Sequence, residues 1–330
     1  MERQPGSLLL GTGRCVPDRV VPNEEFTATL DTSDEWIRTR TGIRERRYAG
    51  PADTSASLGT VAARLALQSA KVEPREIDMI VCASVTPDLM CPSTACLIQA
   101  ALGCPPIPAF DVLAACSGFV YALSVADQYI RTGSAKKVLV VGAEVLSRVS
   151  DFSDRNTCIL FGDGAGAAVL GATTDTKRGI HKIRLFADGS RQELIQVPSM
   201  VTPNPPPGPG SLPNLRHLRM NGREVFRFAV ATLKQLVEDA REDCRALGKE
   251  VKLIVPHQVN VRIIDAALED SDFPPDRVVV NLDRYGNTSA ASVPIALDEG
   301  IRDGRCQVGD TILLVAFGGG LTWSSALITL

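Results

Sequence analysis

Cys116 lies in the stretch DVLAACSGFVYAL, residues 111–123, where small side chains surround a thiol at the start of an apolar helical pattern. The spacing predicts a helix that begins near Ala115, entered by a strand over residues 111–113. A thiol at a helix N-terminus faces unpaired backbone N–H groups, which stabilise the thiolate and lower the pKa of the cysteine. The stretch therefore predicts a nucleophile, although a packed cysteine in a tight strand-to-helix corner explains the same pattern.

A nucleophile of this kind needs polar partners, and two stretches offer them. His257 follows the buried-strand pattern LIVP and precedes the amides of Gln258 and Asn260. Strand ends are where α/β folds present functional side chains. Asn287 opens a run of small residues, NTSAAS, that also indicates a helix start. Taken alone, His257 is equally well explained as a core histidine, and Asn287 as part of a turn or helix cap.

The elements that would position these side chains alternate between buried strands and amphipathic helices, which indicates an α/β fold. Strands are predicted at residues 78–84, 137–145, 164–172, 251–257 and 310–320, and helices over 57–72 and 226–248. The layout repeats, so we expect two similar halves, 1–173 and 174–330. In that repeat Asn287 occupies about the place in the second half that Cys116 occupies in the first.

Composition excludes several classes of protein. The 35 Lys and Arg residues nearly balance the 38 Asp and Glu residues, which gives no basic field for nucleic acid. No apolar run approaches the length of a membrane span or a signal sequence, so neither a membrane nor export is expected. The nine cysteines follow no disulfide or zinc spacing, and we therefore predict no metal and a reducing, cytoplasmic location.

Four further segments allow two interpretations each. The glycine runs FGDGAGAAVLGA and AFGGGLTWSSAL lack nucleotide-binding spacing and are better explained as strand-turn-strand corners, so that Gly318 to Gly320 would offer an oxyanion donor. Residues 202–213, rich in proline, form either a surface insertion or a cover for a substrate entrance. Residues 31–47 suit either an adenine nucleotide or a solvated charged loop, since Trp36 is accompanied by Arg38, Arg40, Arg44, Arg46 and Arg47.

With these pieces in place, the chain resembles the β-ketoacyl-acyl carrier protein synthase III family, within the thiolase-like superfamily. The resemblance covers nearly the whole chain. It rests on seven motifs in order, DTSDEWIRTRTGIRERR, AACSGFVYAL, SDRNTCILFGDGAGAAVL, MNGREVFRFAV, VPHQVNVRII, YGNTSAASVPIAL and FGGGLTWSSAL. It implies a five-layered αβαβα core built from two similar halves, a homodimer, and condensation of an acyl-coenzyme A starter with malonyl-acyl carrier protein, which initiates fatty acid synthesis without a further cofactor.

The resemblance also implies roles for particular residues. Cys116 would carry the acyl group, His257 and Asn287 would promote decarboxylation, and the backbone N–H groups of Cys116 and Gly319 would form the oxyanion hole. Cys91 would reach the acyl pocket of the partner subunit, where a smaller residue than the frequent aromatic one favours starters longer or more branched than acetyl. Coenzyme A would contact Thr32, Trp36, Arg40, Arg155, Gly222, Phe226 and Asn260, and the carrier protein would dock at Arg227 and Arg262.

Two other functions remain open from the sequence. A sister enzyme of secondary metabolism would use the same cysteine and histidine on a small-molecule or polyketide acceptor, although Asn287 suits an enolate better than it suits pure acyl transfer. If Cys116 and His257 only fill the core, a nucleotide-dependent oxidoreductase or a binding module would fit instead.

Overall fold

The computed structural model describes residues 5–197, 217–269, 271 and 273–330, and the proline-rich segment 202–213 lies outside them. The strands of this part are β1 (Gly6–Cys15), β2 (Arg19–Pro22), β3 (Glu45–Tyr48), β4 (Met79–Ala83), β5 (Ala109–Val112), β6 (Lys137–Val145), β7 (Asp163–Thr173), β8 (Gly179–Ala187), β9 (Ile195–Gln196), β10 (Arg219–Met220), β11 (Val251–Pro256), β12 (Thr311–Gly318) and β13 (Thr322–Thr329). The helices are α1 (Glu24–Thr27), α2 (Asp34–Thr41), α3 (Ser55–Ala70), α4 (Thr94–Leu102), α5 (Gly118–Arg131), α6 (Gly222–Ala246), α7 (Val261–Leu268), α8 (Leu282–Tyr285) and α9 (Ser292–Arg302).

Two sheets with the same strand order form the framework. The first runs β1-β7-β6-β4-β5, and the second runs β8-β13-β12-β11. In both, the strands at the end opposite β1 or β8 are parallel, and the strands toward β1 or β8 are antiparallel. The second sheet has no full strand at the position equivalent to β5 in the described residues. A single parallel bridge between Ile254 and Val278 takes that position. The predicted division after residue 173 follows the last residue of β7, five residues before β8 begins at Gly179.

The sheets and helices stack in five layers, as expected. Helices α3 and α4 cover the outer face of the first sheet, and α6 covers the outer face of the second, with α7 packed against it. Helices α5 and α9 lie between the sheets and contact both. Because strands covered on both faces bury every side chain, β4, β6 and β12 are almost continuously apolar.

The two central helices begin alike. A short 3₁₀ turn precedes each, Ala115–Ser117 before α5 and Ser289–Ala291 before α9. The first residue of each turn has a positive φ, 47° at Ala115 and 48° at Ser289. Ala290 is therefore the residue of the second half that corresponds to Cys116 in the first half. The sequence repeat predicted Asn287 for this position, which is three residues too early.

The predicted strands and helices are present with small changes in their ends, and one interpretation is corrected. The run FGDGAGAAVL is mostly strand β7 itself and not a corner between two strands. A glycine in this strand allows the central helix α9 to pack closely against it, because a Cβ on Gly166 would lie 2.8 Å from the backbone nitrogen of Ile295. Glycine is therefore needed there for close packing of α9 against the first sheet.

Candidate active site

Cys116 lies in the short 3₁₀ turn, Ala115–Ser117, that connects β5 to α5. It comes two residues before the first residue of α5. The end of β12 lies directly against it, since a Cβ on Gly318 would come within 2.6 Å of the Cys116 backbone nitrogen. The hydroxyl of Thr322 on β13 donates to the Ala114 carbonyl at 2.9 Å and ties the turn to the second sheet. Cys116 therefore lies where the first half of the molecule meets the second.

The pKa of Cys116 differs from the sequence expectation. Burial raises it to about 12, while a hydrogen bond with Ser289 lowers it and the charge of Glu144 raises it further. Removal of the thiol from water penalises the charged form, and this outweighs the stabilisation that a helix N-terminus provides. The predicted lowering of the pKa is therefore wrong for the resting enzyme, in which Cys116 is a neutral thiol.

His257 follows β11 and is 1% exposed. Its backbone N–H donates to the carbonyl of Val315 on β12 at 2.8 Å, and its ring meets the Phe317 ring edge-on at 5.5 Å. Burial lowers the pKa of the imidazole to about 3. His257 is therefore neutral at physiological pH and acts as a hydrogen-bonding group rather than as a cation.

A serine sets the tautomer of this imidazole. The Ser292 hydroxyl lies 2.5 Å from Nδ1 of His257, and the Ser292 oxygen also accepts the Gln258 backbone N–H at 3.5 Å. Since that oxygen already accepts a hydrogen bond, its own proton is available for Nδ1. We assign the His257 proton to Nε2 on this basis, which leaves a donor on the opposite side of the ring.

Asn287 is 3% exposed and is held by backbone bonds from the first half. Its N–H donates to the Leu160 carbonyl at 2.8 Å, and its carbonyl accepts the Gly162 N–H at 3.0 Å. The side-chain Oδ1 accepts the Ser289 backbone N–H at 2.8 Å. With the oxygen engaged in this way, the amide nitrogen is the end of the side chain that is oriented for a ligand.

One short segment, residues 287–292, brings the three predicted residues together. It contains Asn287, its 289–291 turn packs against the 115–117 turn that holds Cys116, and its Ser292 hydrogen-bonds His257. The sequence of this stretch predicts a helix start and does not predict a role for Ser289 or Ser292. Their only signal was a cluster of hydroxyls at a helix start, which also describes an ordinary helix cap.

The aromatic and arginine residues of the predicted nucleotide site also come together. Guanidinium carbons of Arg40 and Arg155 lie 5.6 Å and 5.2 Å from the Trp36 ring centre. Arg155 also donates to the carbonyl and the carboxylate of Asp31. The buried hydroxyl of Thr32 has no protein partner in the described part of the chain. This group presents a π face, cationic donors and an unsatisfied hydroxyl, which suit an adenine nucleotide.

A path of contacts leads from this group toward His257. Asn260 donates to the Arg40 carbonyl at 3.1 Å and caps α7, and Arg262 on that helix lies 5.9 Å from the Phe226 ring centre. Phe226 packs in one apolar cluster with Phe317, which touches His257. Gly222 begins α6, and Arg227 on the same helix is exposed and paired with Glu224 at 3.0 Å.

Other predicted members lie apart from this path. Arg46 is fully buried and binds Asn23 and two backbone carbonyls, so it cannot contact a nucleotide phosphate, and Arg47 pairs with Glu45. Cys91 is exposed, next to exposed Leu89 and Met90. Gly319 follows Gly318 at the end of β12, beside Ile195.

Attack of a sulfur on a thioester fits this arrangement, because the partly exposed thiol lies in a turn that packs against the opposite half of the molecule. The five-layered fold and this site together define the class of thiolase-like condensing enzymes.

Comparison with known proteins identifies the family within that class. Residues 110–189 and 244–330 match the N- and C-terminal models of 3-oxoacyl-[acyl-carrier-protein (ACP)] synthase III. The chain is 50% identical over 328 residues, 99% of both chains, to a β-ketoacyl-[acyl-carrier-protein] synthase III of Xylella fastidiosa. The crystal structure of the Aquifex aeolicus synthase III superposes with a TM-score of 0.89 at 46% identity, covering 98% of this chain and all of that one. The priming β-ketosynthase of the R1128 polyketide pathway gives 0.89 at 36% identity, over 100% and 98% of the two chains.

The chain belongs to the 3-oxoacyl-[acyl-carrier-protein] synthase III family, and the resemblance read from its motifs is confirmed. It is an acyltransferase of the condensing-enzyme class. Within the described ranges, no helix is both long enough and apolar enough to span a membrane.

Proposed function

We propose that this enzyme condenses an acyl-coenzyme A starter with malonyl-acyl carrier protein and so initiates fatty acid synthesis, with Cys116 as the acylated residue. The observation that carries the proposal is the 287–292 segment, which packs against the turn of Cys116, bonds His257 and contains Asn287. A nucleophile and two neutral hydrogen-bond donors in one buried site match a reaction that passes through an acyl-enzyme and an enolate.

In the first half-reaction the sulfur of Cys116 attacks the starter thioester, and coenzyme A leaves. The tetrahedral oxyanion is stabilised by the backbone N–H groups of Cys116 and Gly319, which belong to the turn and the strand end that pack together through Gly318. The acyl group then waits as a thioester on Cys116, which divides one difficult condensation into two accessible steps.

In the second half-reaction malonyl-carrier protein takes the place of coenzyme A. Nε2–H of His257 and the side-chain N–H of Asn287 bind the malonyl thioester carbonyl, where negative charge grows as carbon dioxide leaves. A neutral imidazole can perform this task because it retains one N–H donor, here assigned to Nε2. The carbanion attacks the acyl thioester, and collapse of the tetrahedral intermediate releases the β-ketoacyl product and the Cys116 thiolate, which then takes a proton from water.

The two substrates share one approach to the site. The adenine of coenzyme A stacks on Trp36 between Arg155 and Arg40, with Thr32 near the phosphates. The pantetheine arm follows Asn260, Gly222 and Phe226 inward. The exposed arginines, Arg227 and Arg262, lie at this entrance and receive the acidic carrier protein.

A homodimer completes the enzyme in this proposal. Strand β5 forms the open edge of the first sheet, and an unpaired edge readily adds a strand from a second copy. Exposed apolar side chains flank it, with Leu113 at 78%, Met90 at 72% and Leu89 at 50% exposure. Pairing of two β5 edges would bury these side chains and carry Cys91 to the partner's acyl pocket.

The reaction as proposed draws on no cofactor beyond its substrates, because thiol, imidazole, amide and backbone N–H groups supply every step. All nine cysteines are free thiols, which supports a reducing compartment, and we place the enzyme in the cytoplasm.

Intact-protein mass spectrometry tests the proposal directly. The protein is mixed with a panel of acyl-coenzyme A esters, and malonyl-carrier protein is then added. We expect one acyl mass on Cys116, none on Cys116→Ala, and discharge to a β-ketoacyl-carrier protein with release of carbon dioxide. Acylation of another cysteine would contradict the assignment of the nucleophile.

The similarity to a polyketide priming ketosynthase keeps one alternative, a condensing or acyl-transferring enzyme of secondary metabolism. The same experiment separates the two. An acyl-enzyme that malonyl-carrier protein leaves intact, while a small-molecule acceptor discharges it, would favour that alternative.

A further inference from the structure

A fully buried arginine lies against the segment that contains Asn287, and the reaction above gives it no task. Arg46 is on β3, and no carboxylate pairs with it in the part of the chain that the structure describes. Burial lowers the pKa of its guanidinium to about 10, so Arg46 is still a cation at physiological pH. A buried charge without an ionised partner is costly and is weak evidence for stability, which indicates a task elsewhere in the protein.

The guanidinium joins residues that are distant in sequence. Its Nη1 donates to the side-chain oxygen of Asn23 at 2.8 Å and to the carbonyl of Val21 at 3.2 Å. Its Nη2 donates to the carbonyl of Ile159 at 2.6 Å. The guanidinium carbon lies over the Phe26 ring, 4.6 Å from the ring centre, so a π face takes the place of a counter-ion.

The first end of this bridge is firmly anchored. The Asn23 side-chain nitrogen donates to the carboxylate of Asp34 and to the carbonyl of Ile43, both at 2.8 Å. Asp34 is the first residue of α2, so Asn23 is tied to a helix as well as to the strand pair β2–β3. Arg46 therefore reaches Ile159 from a fixed base.

The segment at the other end also holds Asn287. The Asn287 N–H donates to the Leu160 carbonyl at 2.8 Å, and the Asn287 carbonyl accepts the Gly162 N–H at 3.0 Å. Ile159, whose carbonyl Arg46 binds, directly precedes Leu160 in the chain. The backbone of Asn287 is therefore held by a segment that Arg46 in turn holds.

Close packing adds to these hydrogen bonds. A Cβ on Gly162 would lie 3.2 Å from the Arg46 Cβ, and a Cβ on Gly286 would lie 3.3 Å from it. Gly286 immediately precedes Asn287 and has a φ of 65°, a left-handed conformation that favours glycine. The Arg46 side chain therefore lies against both segments at the point where they bind each other.

We propose that Arg46 is a positioning residue for malonyl decarboxylation, because it holds residues 159–162 where they aim the Asn287 amide at the malonyl thioester carbonyl. This inference rests on the proposed function, in which Asn287 donates to the enolate. Since Arg46 is buried, it acts through the backbone of Asn287, whose side-chain oxygen is fixed separately by the Ser289 N–H at 2.8 Å. A displacement of a catalytic group by about 1 Å is enough to lower a rate by about 100-fold.

The nucleophile is held by different contacts. The turn of Cys116 packs against Gly318 at the end of β12 and is tied to Thr322 on β13. Loss of Arg46 should therefore impair decarboxylation and spare acylation of Cys116. A general loss of folding would instead lower both half-reactions in proportion.

Two rates measured on each variant test this assignment. Acylation of Cys116 by an acyl-pantetheine thioester, which does not need the nucleotide contacts of α2, is followed by quenched mass spectrometry. Carbon dioxide release from malonyl-carrier protein without a starter is expressed per site that can be acylated, so that unfolded protein does not count. Arg46→Lys keeps the charge but not the planar fork, and Arg46→Met removes both. Each should release carbon dioxide about 10- to 100-fold more slowly and acylate within about threefold of the wild type.

Two further variants frame this result. Phe26→Leu keeps Arg46 but removes the ring beneath its guanidinium, and it should show the same selective loss in a weaker form, about three- to tenfold. Arg131→Lys is the matched control, because Arg131 is also partly buried and donates to the backbone carbonyl of a distant residue, Ile180, at 2.7 Å. It should leave both rates unchanged.

A double-mutant cycle separates positioning from a structural role. In an Asn287→Ala background, Arg46→Lys should cause less than about a twofold further loss of decarboxylation, because the residue through which Arg46 acts is already gone. The assignment is overturned if the two losses multiply, if the Arg46 variants lose both half-reactions equally, or if they decarboxylate at the wild-type rate. A wild type that is acylated but releases no carbon dioxide from malonyl-carrier protein would instead refute the proposed function.

Discussion

Cys116 and His257 are both uncharged at neutral pH, because the same burial raises the pKa of the thiol and lowers that of the imidazole. Neither Cys116 nor His257 therefore carries a charge in the resting site, and negative charge develops there only in the transition states of the reaction. Hydrogen-bond donors that are already oriented stabilise such charge most strongly where water is excluded. At the scale of single residues, the protein holds Nε2 of His257 and Nδ2 of Asn287 in place by engaging the other end of each side chain.

His257→Ala and Asn287→Ala are expected to retain acylation of Cys116 and to lose malonyl decarboxylation by about 100-fold or more, because each removes a donor to the enolate. Acyl-enzyme formation is measured by intact mass and decarboxylation by carbon dioxide release. His181→Ala, on β8 and bonded to Thr329, should leave both unchanged. Condensation by both variants at near wild-type rates would disprove this division of roles.

Burial of Glu144 on β6 raises its pKa, which also predicts how stability depends on pH. Its pKa is about 7 in the folded protein against an ordinary 4.5, so the folded state retains this proton over a range where the unfolded state has lost it. The stability that Glu144 contributes is complete below pH 4.5 and is lost as the pH rises through 7.

Between pH 4.5 and 7 the unfolding free energy of the wild type should therefore fall relative to that of Glu144→Gln as the pH rises. The difference should change by up to about 1.4 kcal/mol per pH unit. Denaturant titrations at pH 5, 6 and 7 measure it. A difference that does not vary with pH would show that Glu144 titrates normally.

At the scale of elements, strand ends and helix starts hold the site. The end of β12 presents Val315 and Phe317 to His257 and Gly318 to Cys116. The 3₁₀ turn before α9 supplies Ser289, and the first residue of α9 is Ser292. Each catalytic side chain is therefore fixed by an element that lies far from it in sequence.

Gly318→Ala is expected to reduce acylation by at least about 100-fold, because the new methyl would lie 2.6 Å from the Cys116 nitrogen and displace the nucleophile and its N–H donor. The control is Gly189→Ala, whose methyl would meet nothing within 4 Å. Single-turnover acylation measures the effect. Normal acylation in Gly318→Ala would show that the turn does not need close contact with β12.

Helix α2 carries Trp36 and Arg40 of the proposed nucleotide site, and Arg155 reaches the Trp36 ring from the segment between β6 and β7. Arg40→Ala and Arg155→Ala should lower kcat/KM for coenzyme A esters more than for acyl-pantetheine thioesters, which lack the nucleotide. Arg38→Ala serves as control, since Arg38 lies on the same helix and pairs with Asp34. Equal losses on both substrates would indicate a structural role for the arginines.

At the scale of the whole molecule, two similar halves meet at their central helices, so that Cys116 comes from one half and His257 and Asn287 come from the other. In the proposed homodimer the open β5 edge would pair with a second copy. The exposed Cys91 would then act outside its own chain.

We expect the wild type to accept starters longer or more branched than acetyl, because Cys91 leaves space that an aromatic ring would fill. Each methylene buried there would contribute about 0.8 kcal/mol, roughly a fourfold preference. Comparison of kcat/KM for acetyl-, isobutyryl- and octanoyl-coenzyme A in the wild type, Cys91→Ser and Cys91→Phe tests this, and only the phenylalanine should shift the preference to acetyl. A strong acetyl preference that Cys91→Phe leaves unchanged would exclude Cys91 from the acyl pocket.

The sequence by itself determined the α/β class, most strands and helices, the family, and the three residues around which the site is built. Apolar periodicity reports burial along one element, and motifs preserve residue types at fixed spacing, so both can be read from a single chain. The tertiary structure alone decided that Arg46 is core, that Cys116 is a neutral thiol, that the 289–291 turn packs against the turn of Cys116, and that Ser292 bonds His257. Those properties depend on desolvation and on contacts between segments as far apart as residues 116 and 289, which local sequence does not encode.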